Sequence, residues 1–110
     1  MQKNVLIIEP NLLVAETIKN FLTDYYPEDD IFIENNVPDE FHADVLLISA
    51  QLLIENKFIV HVVDKEVTIV AMSAELQVLE EARQLNLADR YLFKEDVYRN
   101  EIPEDISEVL

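Results

Sequence analysis

The stretch ADVLLISAQ, residues 43–51, decides the fold prediction. Its four consecutive apolar residues, Val45 to Ile48, are typical of a strand that is buried on both faces, as in a parallel sheet. The strand ends in Ser49. Ligands of parallel sheets bind beyond the carboxyl ends of the strands, so Ser49 is a candidate functional residue. It is also a candidate helix cap, or the position of a functional residue that has been lost.

Apolar runs of the same kind recur along the chain and indicate five strands. They have the sequences NVLIIE, IFIE, DVLLIS, VTIVAMS and RYLFK, which are residues 4–9, 31–34, 44–49, 67–73 and 90–94. Segments with helical spacing of apolar residues lie between these runs. This alternation predicts a parallel sheet with helices on both faces, in the flavodoxin-like strand order 2-1-3-4-5.

Helices are predicted at residues 10–26, 74–88 and 103–110. Residues 51–63 are interpreted as a helix, although FIVHVV within them also fits an extended run. Residues 35–43 hold at most a turn or two of helix, so the second helix of the fold is expected to be short. Because no linker or repeat interrupts the pattern, residues 1–110 are predicted to form a single domain.

The helical spacing also predicts which side chains face the core. In the first helix, Pro10 is expected in the first turn, and one face carries Val14, Ile18, Phe21, Leu22 and Tyr25. In the helix at residues 74–88, one face carries Val78, Leu79, Ala82 and Leu85.

The composition excludes several classes of function. The chain has 23 acidic and 8 basic residues and a net charge of −15, which argues against binding to nucleic acid or to anionic membranes. Its lack of cysteine is compatible with a reducing compartment, and no apolar run is long enough to span a membrane. We therefore expect a cytoplasmic protein.

The chain contains no glycine. Glycine-rich phosphate loops and the dinucleotide fingerprint are therefore excluded, and a flavin-binding protein is not supported, since no Ser/Thr/Gly-rich turn follows the first strand. Backbone positions with positive φ are expected to be occupied by Asn or Asp.

Polar residues stand at the ends of four predicted strands, where they are expected to converge on one crevice. In chain order they are Glu9 with Pro10, Ser49, Ser73 and Lys94. This set resembles the receiver domain of bacterial response regulators, the CheY-like fold, over essentially the whole chain. The blocks that carry the resemblance are VLIIEPNLLVAETI, DVLLIS, MSA and YLFK.

The resemblance implies a role for each of these positions. In the family, the first strand ends in two acidic residues that hold Mg²⁺, the third in an aspartate that accepts a phosphoryl group, the fourth in Ser or Thr, and the fifth in a lysine. The corresponding residues here are Glu9 and Pro10 at the acidic pair, Ser49 at the phosphoacceptor, Ser73 and Lys94 at the positions that contact the phosphoryl group, and Tyr91 at the aromatic switch position.

The departures from the family pattern predict a pseudo-receiver without phosphotransfer. Pro10 has no side-chain oxygen for a metal, and the Ser49 hydroxyl is not ionised at pH 7. Mg²⁺ prefers octahedral oxygen ligands that include carboxylates, so Glu9 is only a weak metal candidate, and we expect neither bound Mg²⁺ nor catalytic residues. The chain is therefore expected not to be an enzyme but a regulatory module of two-component or phosphorelay signalling.

Each of these positions also fits a structural role. Ser49 is interpreted as a cap whose hydroxyl bonds to nearby backbone N–H groups, in preference to a phosphoserine acceptor. Glu9 fits a position near the start of the first helix, where the helix dipole favours an acid, and it also fits an ion pair with Lys94 across the crevice. Ser73 fits a helix N-cap as well as a ligand contact, and Tyr91 fits half-buried packing better than a switch.

Two functional hypotheses remain. The first is a docking module that binds a protein partner through the face of the family's fourth helix, fifth strand and fifth helix, which maps to residues 74–87, 90–94 and 103–110; self-association into a homodimer stays open. The alternative is a divergent receiver that accepts a phosphoryl group on Glu9 or Asp44. Asp44 is discounted because it precedes its strand and should lie at the opposite end of the sheet.

Overall fold

A computed structural model describes residues 2–110 and places five parallel strands in one sheet, in the order β2-β1-β3-β4-β5. The predicted flavodoxin-like order and the parallel pairing of all neighbours are confirmed. The strands are β1 (Asn4–Ile8), β2 (Asp30–Glu34), β3 (Val45–Ser49), β4 (Thr68–Ser73) and β5 (Arg90–Phe93).

Helices lie on both faces of the sheet, as predicted. They are α1 (Leu12–Tyr25), α2 (Ala50–Glu55), α3 (Ile59–Val62), α4 (Leu76–Gln84), α5 (Lys94–Tyr98) and α6 (Glu104–Ser107). One face packs against α1, α5 and α6, and the other packs against α2, α3 and α4. All five residues of β3 are buried, because alternate side chains of this central strand enter the two apolar clusters.

The helices differ from the prediction at several places, and the short second helix expected within residues 35–43 does not form in the described residues. Residues 51–63 form two short helices instead of one, because Asn56 ends α2 and its side-chain amide donates to the Leu52 carbonyl at 2.9 Å. Helix α5 was not predicted, and Lys94 begins it instead of ending β5. Helix α4 ends at Gln84, before the end of its predicted range.

The buried face of α1 matches the predicted one except at Tyr25, since Val14 and Phe21 pack against the core. The helix begins after Asn11, whose side-chain oxygen accepts the Val14 N–H at 3.3 Å, so Pro10 lies outside the first turn. Its buried residues are Ala15, Ile18 and Leu22. The predicted core residue Tyr25 is 53% exposed, and in α4 the predicted core residue Leu85 is 43% exposed because the helix ends before it.

Asparagine takes the left-handed positions of this glycine-free chain, as expected. Asn86 has φ 55° and Asn100 has φ 60°. At the end of α4, the Leu87 N–H bonds to the Ala82 carbonyl and the Asn86 N–H to the Arg83 carbonyl. The same pair of bonds closes α5 around Asn100. Both helices therefore end in Schellman motifs in which Asn tolerates the positive φ that glycine usually adopts.

The connection from β2 to β3 is an irregular loop. Residues 35–44, all of them described, contain no helix. These ten residues must return from the carboxyl end of β2 to the amino end of β3, a span of about 17 Å for five-residue strands, which leaves little chain for a helix. As a consequence, Phe32 of β2 is 53% exposed.

Candidate functional site

The predicted site residues lie at one edge of the sheet. Glu9 follows β1, Ser49 ends β3, Ser73 ends β4 and Lys94 follows β5, and the parallel register brings all four to the carboxyl edge. Two of them are in direct contact. The Lys94 Nζ donates to Glu9 Oε1 at 2.5 Å, which confirms the expected pair across the crevice.

This ion pair crosses the top of the sheet. Strands β3 and β4 lie between β1 and β5, so the pair bridges three inter-strand spacings, about 14 Å at the level of the backbone. Only the long side chains of Glu9 and Lys94 make this possible. The Glu9 side chain is 6% exposed and that of Lys94 is 12% exposed, so the charges are nearly removed from water. The pair therefore closes the crevice above the ends of β3 and β4.

The second carboxylate oxygen of Glu9 is also bonded. Glu9 Oε2 accepts the backbone N–H of Asn11 at 3.1 Å, and Glu9 itself is 5% exposed. Its backbone is held as well, because the Asn35 side-chain amide donates to the Glu9 carbonyl at 3.3 Å. The acid is thus fixed by three neighbouring segments.

The donor set at this edge does not fit a Mg²⁺ ion. Both oxygens of Glu9 have partners within the chain, one of them the ammonium group of Lys94. Pro10 is exposed and has no side-chain oxygen, and Ser49 would supply only a neutral hydroxyl. Mg²⁺ sites usually contain one or two free carboxylates, and the set of Glu9, Pro10 and Ser49 offers none.

Both serines lie where a strand leads into a helix. Ser49 is 8% exposed and occupies the N-cap position of α2, as predicted, but its hydroxyl makes no capping bond to the described residues of that helix. The Ser73 hydroxyl accepts the Glu75 N–H at 3.0 Å, in a turn that leads into α4. Ser73 is not the N-cap itself, because Glu75 takes that position.

Tyr91, at the position of the family's aromatic switch, is held by several contacts. Its hydroxyl donates to the Ala88 carbonyl at 3.1 Å and lies 3.4 Å from the Ala82 carbonyl. It also accepts the Ala88 N–H at 3.3 Å. The guanidinium of Arg83 stacks 4.7 Å from the ring centroid. These contacts are those of a packed side chain that joins β5 to the end of α4.

Sequence reasoning missed one residue near the site. Partial burial raises the pKa of the Tyr98 hydroxyl above its ordinary value of 10.0, although 44% of the residue is exposed, and the negative charges of Glu9 and then Glu95 raise it further. Tyr98 therefore lies close enough to Glu9 for their charges to interact. No sequence signal pointed to it, because α5 was not predicted.

Asp44, the other acceptor considered, lies at the opposite edge of the sheet. Its Oδ2 accepts the Asn4 N–H at 2.8 Å, at the amino end of β1. The amino and carboxyl ends of a five-residue strand are separated by most of the sheet's height. Asp44 is therefore remote from Lys94 and Ser73.

Comparisons with protein-family models, with curated proteins and with solved structures find no match to the chain. Within residues 2–110, no helix has the length and apolar character needed to cross a membrane. The same residues contain no group of three or more His, Cys, Asp or Glu side chains arranged to hold a metal ion. The fold and the contacts at the carboxyl edge are therefore the basis for a proposal about function.

Proposed function

We propose that this protein is a pseudo-receiver, a receiver-like module of bacterial signal transduction that acts through protein–protein contacts and independently of phosphorylation. The observation that carries the proposal is the buried ion pair between Glu9 and Lys94. In the resembled family, the equivalent lysine faces the phosphoryl group. Here an internal carboxylate already neutralises that lysine, so the crevice is complete without a ligand.

The chemistry of the crevice supports this proposal. A phosphoryl group that approached Lys94 would have to displace Glu9, and separating a buried pair costs about 3–5 kcal/mol when one charge is left without a partner. The Ser49 hydroxyl brings no charge of its own and is 8% exposed. Within residues 2–110, no group of acidic or histidine side chains is arranged to hold a metal ion that would offset that cost. We therefore propose no enzymatic activity.

The same contacts support a single conformational state. A ligand shifts an equilibrium only when it binds one state better than the other. With the crevice closed, no small ligand has such a differential contact, and Tyr91 is held by its hydroxyl and by Arg83. We therefore propose a constitutive module instead of a switch.

The proposed docking face consists of α4, β5 and α6. Leu76 and Leu85, at the two ends of α4, are 64% and 43% exposed. Arg90 is less suited as a probe of this face, because its guanidinium donates to the backbone carbonyls of Asp89 and Asp105. A partner protein at this face and a cytoplasmic location, for the compositional reasons given above, complete the proposal.

The first test is chemical. Incubation with acetyl phosphate and Mg²⁺ should leave the intact mass of the protein unchanged, and calorimetry should show Mg²⁺ binding no tighter than the order of millimolar. A gain of one phosphoryl group would contradict the proposal. The variants Glu9→Gln and Asp44→Asn would then identify which acid accepts the group, as the divergent-receiver alternative requires.

The second test concerns the single state. Ser49→Asp places a charge in the crevice, and its matched control Gln51→Asp adds the same charge at an exposed position two residues later. In ¹H–¹⁵N spectra, both variants should perturb only their neighbours. Changes at Tyr91 and along α4 in Ser49→Asp alone would show that the crevice still controls the docking face.

A further inference from the structure

Strand β2 has a free edge. Within residues 2–110 it pairs with β1 alone. The Asp30 N–H donates to the Lys3 carbonyl, and the Glu34 carbonyl accepts the Glu9 N–H, so these two residues direct their backbone groups inward. Because bonding alternates along a strand, Ile31 and Ile33 present their N–H and C=O groups at the outer edge. Such an edge is a template for an added strand.

An apolar side chain lies exposed in the middle of this edge. Phe32 pairs in register with Leu6 and is 53% exposed. Beside it is a cavity of about 210 Å³, at the place left bare by the missing second helix. It is lined by Leu6, Phe32, Glu34, Pro38, Glu40 and His42. The cavity has room for an aliphatic side chain next to the Phe32 ring.

The surroundings of this edge are strongly acidic. Residues 28–44 contain seven acidic residues and neither Lys nor Arg, and no Lys or Arg occurs anywhere between Lys19 and Lys57. Asp30 and Glu34, one on each side of Phe32, are both exposed. The potential at the β2 edge is therefore negative and attracts cations.

We propose that the β2 edge binds an extended, Lys/Arg-rich segment of a partner protein as a sixth strand. Its backbone would pair with Ile31 and Ile33, one apolar side chain would enter the cavity beside Phe32, and its cationic side chains would face Asp30 and Glu34. This surface lies at the β2 edge of the sheet, whereas the proposed docking face includes β5, the strand at the opposite edge. The inference is independent of the chemistry of the crevice.

Charge decides against a second copy of this chain as the occupant. Antiparallel pairing of two β2 strands around Phe32 places Asp30 of one copy opposite Glu34 of the other. Like charges directly opposite each other destabilise a strand pair. Each copy also carries a net charge of −15, which adds long-range repulsion. A basic partner removes both costs.

The probe for this proposal is the seven-residue peptide Thr-Lys-Thr-Val-Thr-Lys-Thr, whose central valine and two lysines share one face of a strand, as Phe32, Asp30 and Glu34 do. The same peptide with glutamate in place of both lysines is its control. Titration of ¹⁵N-labelled protein with the basic peptide should shift the amide signals of Ile31, Phe32 and Ile33 and slow the hydrogen exchange of the Ile31 and Ile33 amides. The acidic peptide should produce neither effect. Raising the salt concentration should weaken binding, because the charges involved are exposed.

Variants then distinguish binding at the β2 edge from non-specific attraction to the net charge of the protein. Glu34→Lys should weaken binding of the basic peptide about fivefold or more. Glu81→Lys on α4 changes the net charge equally, away from β2, and should change the affinity less than about twofold. Phe32→Ala, which removes the exposed ring but no charge, should weaken binding at constant salt dependence.

Three results would overturn the proposal. One is equal weakening by Glu34→Lys and Glu81→Lys, which would mean attraction to net charge alone. Another is the absence of binding, or signal changes confined to residues outside β2. The third is a concentration-dependent dimer in sedimentation velocity that Glu34→Lys alters, which would identify a second copy as the occupant.

Discussion

The two margins of the sheet are built in opposite ways. We call β5 with α4 and Lys94 the β5 margin, and β2 with residues 35–44 the β2 margin. Both end in an edge strand. At the β5 margin, the Tyr91 hydroxyl has partners on the backbone, and Lys94 is buried against Glu9. At the β2 margin, an aromatic ring is exposed and the acidic side chains face water.

The polar pairs that stabilise the fold therefore lie at the β5 margin, whereas the exposed ring and exposed acids lie at the β2 margin. Buried polar groups must be bonded, so each pair at the β5 margin constrains several elements at once and is costly to break. Exposed charges and a half-exposed ring contribute little to stability. The same parallel sheet thus has one margin whose buried pairs hold the fold together beside the proposed docking face, and one margin whose exposed groups contribute little to the fold.

The largest effect is expected from Lys94→Met. The substitution leaves the Glu9 carboxylate buried without its counter-charge and should lower the free energy of unfolding by about 3 kcal/mol in urea denaturation at neutral pH. The double variant Glu9→Gln with Lys94→Met removes both charges and should recover much of this loss. A loss below about 1 kcal/mol in Lys94→Met would mean that the pair contributes little to the fold.

A smaller effect is expected from Tyr91→Phe at the β5 margin. Removing the hydroxyl leaves the Ala88 N–H and C=O without this partner and should cost about 1.5 kcal/mol. The same denaturation experiment measures it, with Tyr25→Phe as the control, since the exposed Tyr25 hydroxyl makes one long bond of 3.3 Å to the Asn100 carbonyl. Equal losses in the two variants would contradict the assigned role of Tyr91.

At the β2 margin, Phe32→Ala should lower the free energy of unfolding by about 1 kcal/mol or less, because half of the ring is already in water. Loss of a whole ring at this margin should therefore cost less than loss of one hydroxyl at the other. A larger cost for Phe32→Ala than for Tyr91→Phe would reverse the comparison.

The smallest effect concerns pH. The folded pKa of Tyr98 is raised above 10.0 by partial burial and by Glu9 and Glu95, so the folded state keeps a proton that the unfolded state has lost. The stabilisation linked to this proton is complete below pH 10 and is lost as the pH rises through the folded pKa. Thermal unfolding above pH 10 should show a shallower decline for Tyr98→Phe than for the parent chain. Identical declines would place Tyr98 outside the field of Glu9.

Much of the fold followed from local patterns. Apolar runs and their alternation with helical segments predicted all five strands and their order, because a buried parallel strand and an amphipathic helix each have a period that is visible in the chain. The absence of glycine predicted Asn or Asp at positive φ, and Asn is found there at Asn86 and Asn100. The expected pair of Glu9 and Lys94 also followed, since both stand at carboxyl ends of strands.

Other features were not predicted, either because local capping signals were read wrongly or because the features depend on contacts between distant segments. The start of α1 was set by the Asn11 cap instead of Pro10, and the hydroxyl of Ser49, although at a cap position, makes no bond to the described residues of α2. Helix α5 and the placement of Tyr98 near Glu9 had no sequence signal. Such details depend on which neighbour offers a bonding partner, and a single sequence does not contain that information.

The sequence by itself determined that this chain forms a five-stranded parallel sheet with polar residues at its carboxyl edge, because periodicity and strand ends are local properties. Tertiary structure alone decided that the pair of Glu9 and Lys94 is nearly removed from water, and that Phe32 is 53% exposed. Both outcomes arise from the geometry of segments far apart in the chain. Burial and pairing depend on how those segments pack, and packing is a property of the whole fold.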